Sequence, residues 1–207
     1  STVSFHSQRG YMISAFASVA LPIALSSYVR SALLSVEHAL LPYCLRMNGM
    51  SQTEALSSYG ILGSMAFPVV LFPAALISSF SGLLVPELTE CHEKNNQKEI
   101  AYIGGRVYAL SLWFSVGCSA ILIFLSGELG QVIYKSQDAS KYILYLAPLV
   151  PLMYLDNTTD YMLKGLGEQV YSMCVNIADS LLSVFLVWIL VPRLGINGYI
   201  IAIYITE

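Results

Sequence analysis

Apolar residues in this chain come in solid blocks, where a soluble helix or strand would show a periodic stripe. Six blocks approach the length a membrane span needs: roughly residues 12–34, 56–84, 107–125, 142–162, 170–192 and an incomplete one from 198 to 207. About 20 apolar residues cover the hydrocarbon core of a bilayer as a helix, so the pattern predicts an all-α, polytopic transmembrane helix bundle. Between the blocks lie short polar connections that end one span and begin the next. The first block continues beyond Arg30 to Leu45, about 50 Å if wholly helical, so it must tilt, kink at Pro22 or project from the bilayer. Pro68 and Pro73 fall in the second block, Pro148 and Pro151 in the fourth. Each removes a backbone donor and bends its helix, which lipid tolerates only where other groups satisfy the freed carbonyl.

The connection from 86 to 106 is longer, and its Glu87, Glu90, Glu93, Lys94, Lys98 and Glu99 predict a surface helix along the membrane face. Counting bases by connection puts Arg9, Lys94, Lys98, Arg106 and Lys164 on one side and Arg46, Lys135, Lys141 and Arg193 on the other. The cluster of three in the first group favours that side as cytoplasmic. The chain opens on Ser1 and its last apolar run stops at about half a span, which reads as a fragment.

Composition agrees with a lipid environment: 56% of the 207 residues are hydrophobic and 11% charged, and mean hydropathy is +0.66. Net charge is −3 and the bases are dispersed, so no basic patch exists to engage nucleic acid. Cys44, Cys91, Cys118 and Cys174 have no C-x-x-C spacing, and packed, reduced thiols are expected. Nucleophile-elbow, zincin, phosphate-loop and dinucleotide motifs are all absent. The sequence therefore predicts no enzyme, no bound cofactor and no metal beyond a monovalent cation.

Ionisable groups inside spans are costly, at about 2.5–3.5 kcal/mol on insertion scales, and face a partner, a bundle interior or a water-filled cavity. On the first span, Arg30 and Glu37 share a helical face near Ser26, Ser27 and His38. They read either as an ion pair near the headgroups or as a substrate contact, since a guanidinium matches phosphate with a planar fork. On the fourth, Asp156, Asn157, Asp160 and Lys164 recur at helical spacing as a structural polar network, with Asp160 set to pair with Lys164. On the fifth, Ser172, Asn176, Asp179, Ser180 and Ser183 form a polar stripe in which Asp179 lies near mid-depth without a base on its own helix. Sodium or proton coupling and plain interhelical hydrogen bonding both account for it.

Several short blocks occur in an order that resembles a known family. They are Leu21-Pro22-Ile23-Ala24-Leu25-Ser26 leading to Glu37, Tyr59 to Pro68, Leu84-Val85-Pro86-Glu87-Leu88, Tyr154-Leu155-Asp156, Leu163 to Glu168, and Leu190 to Tyr199. Together they resemble the C-terminal half of polysaccharide and lipid-linked oligosaccharide flippases of the stage V sporulation protein B type. That group falls in the multidrug, oligosaccharidyl-lipid and polysaccharide exporter superfamily. The resemblance implies that residues 1–207 form one six-helix lobe of a two-lobe, inverted-V transporter in the cytoplasmic membrane, the N-terminal lobe lying outside this sequence. Its implied cargo is a lipid-linked saccharide flipped by alternating access during cell-envelope synthesis. Lipid II flippases of this superfamily carry a pyrophosphate-binding arginine where this chain has Gly63, which leaves Arg30 as the anion candidate. A sodium site in that group resembles Glu37, Asn176 and Asp179. A cation-coupled multidrug antiporter of the same superfamily and a non-transporting scaffold for envelope synthesis are the alternative readings.

Overall fold

The computed structural model describes the backbone from Thr2 and the side chains of residues 24–207 other than Ser26. Pro22, Arg9 and Ser26, which bear on the expected kink, sidedness and stripe, lie outside the described side chains. The described residues are all-helical: α1 (Thr2–Met47), α2 (Gln52–Ile61), α3 (Phe67–Leu71), α4 (Ala74–Glu93), α5 (Gln97–Glu128), α6 (Gln137–Leu146), α7 (Val150–Gly165), α8 (Gln169–Leu194) and α9 (Ile196–Thr206). Among them, Gln52–Leu71, Gln97–Ile133 and Gln169–Leu194 are each long and apolar enough to cross a membrane. The chain is a transmembrane helical bundle.

The prolines cut two expected spans into broken rods. Ahead of Pro68, residues Leu62–Ala66 widen into a π-turn, which relieves the clash its ring would make with the carbonyl four residues earlier. Pro73 then interrupts the rod between α3 and α4. Beside this break the carbonyl of Val70 accepts a hydrogen bond of 2.8 Å from the fully buried Tyr154 hydroxyl of α7. Pro148 and Pro151 place a short 3-10 segment, Ala147–Leu149, between α6 and α7. Pro151 cannot donate to Ala147, and Ser119 of α5 supplies that carbonyl with a 2.8 Å bond. Tyr204 of α9 donates likewise to the carbonyl of Tyr145 at 2.7 Å, one turn before the break.

Helix ends follow local chemistry. Ser51 caps α2 in a reciprocal box with Glu54, whose carboxylate accepts the Ser51 backbone N–H at 2.9 Å. Gly195, at φ +64°, terminates α8 and turns the chain back into α9. A Cβ at Gly198 would stand 2.5 Å from the Leu190 carbonyl, so only glycine allows the two helices to approach this closely. The 86–106 segment corrects an expectation: there is no separate surface helix. Pro86 lies within α4, which runs on to Glu93, and a tight turn at residues 94–96 leads into α5. The charges cluster because both helices end there in water, where the Lys94 ammonium, 2.5 Å from Glu90, holds that carboxyl below its usual range.

Around an apolar core that includes Leu41, Leu62, Ile143 and Val187, α5 packs through small side chains. The buried face of α5 is Gly104, Val107, Ser111, Ser115, Ser119, Leu122 and Ser126, and small residues at this spacing let helix backbones approach in lipid. Ser111 meets Thr158 at 2.9 Å and Tyr108 meets Thr159 at 2.7 Å, fixing α5 on α7. Phe124, Trp113, Phe72 and Leu83 point outward, each more than three-quarters exposed. All four cysteines are free, Cys44 and Cys91 buried as expected, while Cys174 is exposed.

Two predictions follow from this frame. α5 spans about 48 Å at 1.5 Å per residue, so cysteines substituted for Lys94 and Lys135 should label from opposite sides of the membrane; labelling from one side would refute the through-going helix. Tyr154→Phe should lower resistance to thermal or detergent unfolding by about 1–2 kcal/mol, because it strands the Val70 carbonyl. Unchanged stability would mean another donor serves that carbonyl.

Candidate functional site

The polar residues of three spans meet in one place. A cavity of about 370 Å³ opens between α1, α7, α8 and the end of α9, lined by Arg30, Asp156, Asp160, Asn176, Asp179 and Glu207 among others. A second cavity of about 260 Å³ adjoins it through Arg30, Asp160, Ser172 and Asn176 and reaches Lys164 and Ser27. Each helix contributes for a local reason. α7 presents Asp156 and Asp160 one turn apart, and α8 presents Ser172, Asn176 and Asp179 along one stripe. α1 packs extensively against α8, which brings Arg30 to the same opening.

The network is partly satisfied. Lys164 donates to Asp160 at 2.6 Å, and Ser172 of α8 donates to the other Asp160 oxygen, tying the two helices together. Asn176 donates from Nδ2 to the Ser172 carbonyl at 2.8 Å and Asn157 donates to that of Met153 at 3.2 Å, both within their own helices. Nδ2 engaged in this way leaves the Asn176 side-chain carbonyl available to the cavity. Asp156, Asp160 and Asp179 all feel the charge of Arg30. Among the described residues, however, no ion pair joins Arg30 to any of them. One guanidinium therefore faces four carboxylates across open space.

Glu37 departs from this group. It lines neither cavity, is 8% exposed, and sits beside Tyr199 of α9, whose hydroxyl faces its carboxylate. Arg30 and Glu37 are not ion-paired among the described residues. Seven residues keep two side chains near one helical face but separate them by about 10 Å along the axis, and Tyr199 of α9 stands beside Glu37 at that height. Next to it, the Tyr59 hydroxyl and His38 Nδ1 lie 2.7 Å apart. Of the expected cation set of Glu37, Asn176 and Asp179, the last two line the cavity, while Glu37 is buried against Tyr199 and still acts electrostatically on Asp179. No cluster of three metal-ligating side chains occurs among the described residues. Gly63, the position of the lipid II arginine, lies in the π-turn with nothing within 4 Å of where a Cβ would be.

Sequence reasoning overlooked Glu207 and Thr206. Glu207 follows an apolar helix that folds back on α8 at Gly195, so it returns to the depth of Asp156 and Asp179 and acts on both electrostatically. The available signal was a carboxylate closing an apolar run, the same criterion that singled out Asp179.

Comparisons with known proteins add a family. A family model described as MatE matches residues 44–189. Stage V sporulation protein B of Bacillus subtilis (strain 168) is 28% identical over 189 residues, covering 90% of this chain. The chain spans 36% of the length of that relative. No solved structure matches significantly.

Proposed function

Because the chain belongs to the MatE family, we propose that it forms one lobe of a multi-pass transporter moving a lipid-linked saccharide across the cytoplasmic membrane by alternating access. The observation that carries this reading is the charged cavity itself. A bundle that places apolar bulk outward gathers Arg30, four carboxylates and Asn176 around an open volume. Unpaired charge in a membrane is expensive unless water or a ligand occupies the space. A saccharide offers many hydroxyls to carboxylates and amides, and a lipid-linked phosphate offers an anion to Arg30. The N-terminal lobe expected from the resemblance, outside these residues, would close the cavity from the opposite side, and the surrounding membrane lipid would carry the polyprenyl tail.

Asp179 and Asn176 serve coupling in this reading. A carboxylate with an amide oxygen one turn away provides hard oxygen ligands for Na⁺, and protonation of the same carboxylate would neutralise it equally well. Either event drives transport only by favouring one access state over the other. A second reading rests on the excess of acid over base in the cavity: a cation-coupled antiporter would use the same carboxylates to hold an organic cation. The two readings differ over Arg30, which a cation exporter does not need.

Arg30→Ala should reduce flipping of a lipid-linked saccharide in reconstituted vesicles by about tenfold or more, with Arg30→Lys well below wild type, since an ammonium cannot reproduce the bidentate fork. Wild-type flipping by folded Arg30→Ala, together with retained export of an organic cation, would favour the antiporter. Asp179→Asn should leave the protein folded and abolish the dependence of transport on a sodium or proton gradient. Gradient dependence that survives unchanged would assign the α8 stripe to helix packing alone.

A further inference from the structure

A larger cavity than either of those lined by Arg30 lies elsewhere, on the exposed surface between α4 and α5. It measures about 550 Å³ and is walled by Phe80, Leu84, Ile103, Val107, Leu110 and Trp113. Two opposite charges stand at its rim, Glu87 from α4 and Arg106 from α5. Neither is paired with the other, and among the described residues Glu87 makes no hydrogen bond or ion pair. Arg106 is held in place by Tyr102, which accepts from the guanidinium at 3.0 Å and lies beneath it with ring centroid 5.5 Å away. That contact uses one of five N–H donors, leaving the rest of the fork directed elsewhere.

Depth gives these charges meaning. Glu87 precedes the charged turn at residues 94–96 by two helical turns and Arg106 follows it by nearly three. At 1.5 Å per residue both lie about 10–15 Å inside the water-exposed end of the hairpin, which is the zone of lipid headgroups and the first acyl carbons. Below them the groove is wholly apolar down to Trp113. A molecule complementary to this surface carries an anion and a cation a few bonds apart above a hydrocarbon chain. The cation must also donate hydrogen bonds, because a bare carboxylate at an apolar boundary gains most from N–H donors and little from a methylated ammonium that has none.

We propose that the α4–α5 groove binds an aminophospholipid, a phosphatidylethanolamine, whose phosphate meets Arg106 and whose primary ammonium meets Glu87 while an acyl chain fills the apolar trough. The site is separate from the charged cavity of α1, α7 and α8 and stands whatever the cargo is. It makes the protein a reader of headgroup chemistry in the leaflet on the side of the α4–α5 turn. Phosphatidylglycerol supplies the phosphate without the ammonium, and phosphatidylcholine supplies both charges but no N–H donor, so each satisfies half of the site.

The test is lipid retention by the full-length protein, read by native mass spectrometry after exchange into detergent with equimolar phosphatidylethanolamine, phosphatidylcholine and phosphatidylglycerol. Phosphatidylethanolamine should be retained about tenfold over each of the others, with mono- and dimethylated headgroups in between. Glu87→Gln should remove the preference over phosphatidylglycerol, and Arg106→Gln should lower retention of all three, while Arg106→Lys keeps the order. Equal retention of the three lipids by the wild-type protein would overturn the proposal without recourse to any variant. So would a preference that persists undiminished in folded Glu87→Gln and Arg106→Gln proteins.

Discussion

The structure depends on the obligation of every backbone carbonyl in lipid to find a donor. The four prolines at its two breaks withdraw donors, and in a bilayer no water replaces them. Side-chain hydroxyls from neighbouring helices serve carbonyls at and beside these breaks: Ser119 the Ala147 carbonyl that Pro151 frees, Tyr154 that of Val70, and Tyr204 that of Tyr145. Each of these bonds joins two segments that would otherwise have reason to separate. They pin α7 to the break before α4, α5 to the break before α7, and α9 to α6. A break in one rod thus becomes an instruction for where another must pack.

The rest of the packing is compatible with that instruction because it uses small side chains. Serines and Gly104 along α5 bring its backbone close to α7, near enough for a serine hydroxyl to reach a carbonyl of the next rod. Bulky apolar residues at those positions would hold the helices apart and leave the proline-freed carbonyls unserved. Phe124, Trp113 and Leu83 are accordingly turned outward, where lipid solvates them as well as any protein core would.

Charge placement distinguishes the two cavities. The interior cavity carries one guanidinium against four carboxylates, and among the described residues only Asp160 of these has an ion-pair partner, Lys164. That imbalance suits the transport proposed for this site, in which other groups and the cargo would complete it. The outer α4–α5 groove instead holds one charge of each sign at the height of the headgroups above an apolar trough. Its complement is a zwitterionic amphiphile of the bilayer.

Helix content, the lipid setting and the locations of the breaks could all be read along the chain, because apolar run length and proline are local properties that any packing must accept. The ionisable residues within spans were likewise visible one by one, as was the pairing of Asp160 with Lys164 across one turn. Assembly was not. The arrangement of three helices decided that Arg30 shares a cavity with Asp156 and Asp179, while Glu37, on the same face of α1, is buried beside Tyr199 of α9. Glu207 joined the cavity only because Gly195 returns α9 along α8. Spacing in sequence sets the face and height of a side chain on its own helix; which helix stands opposite at that height is a long-range property that only the tertiary structure determines.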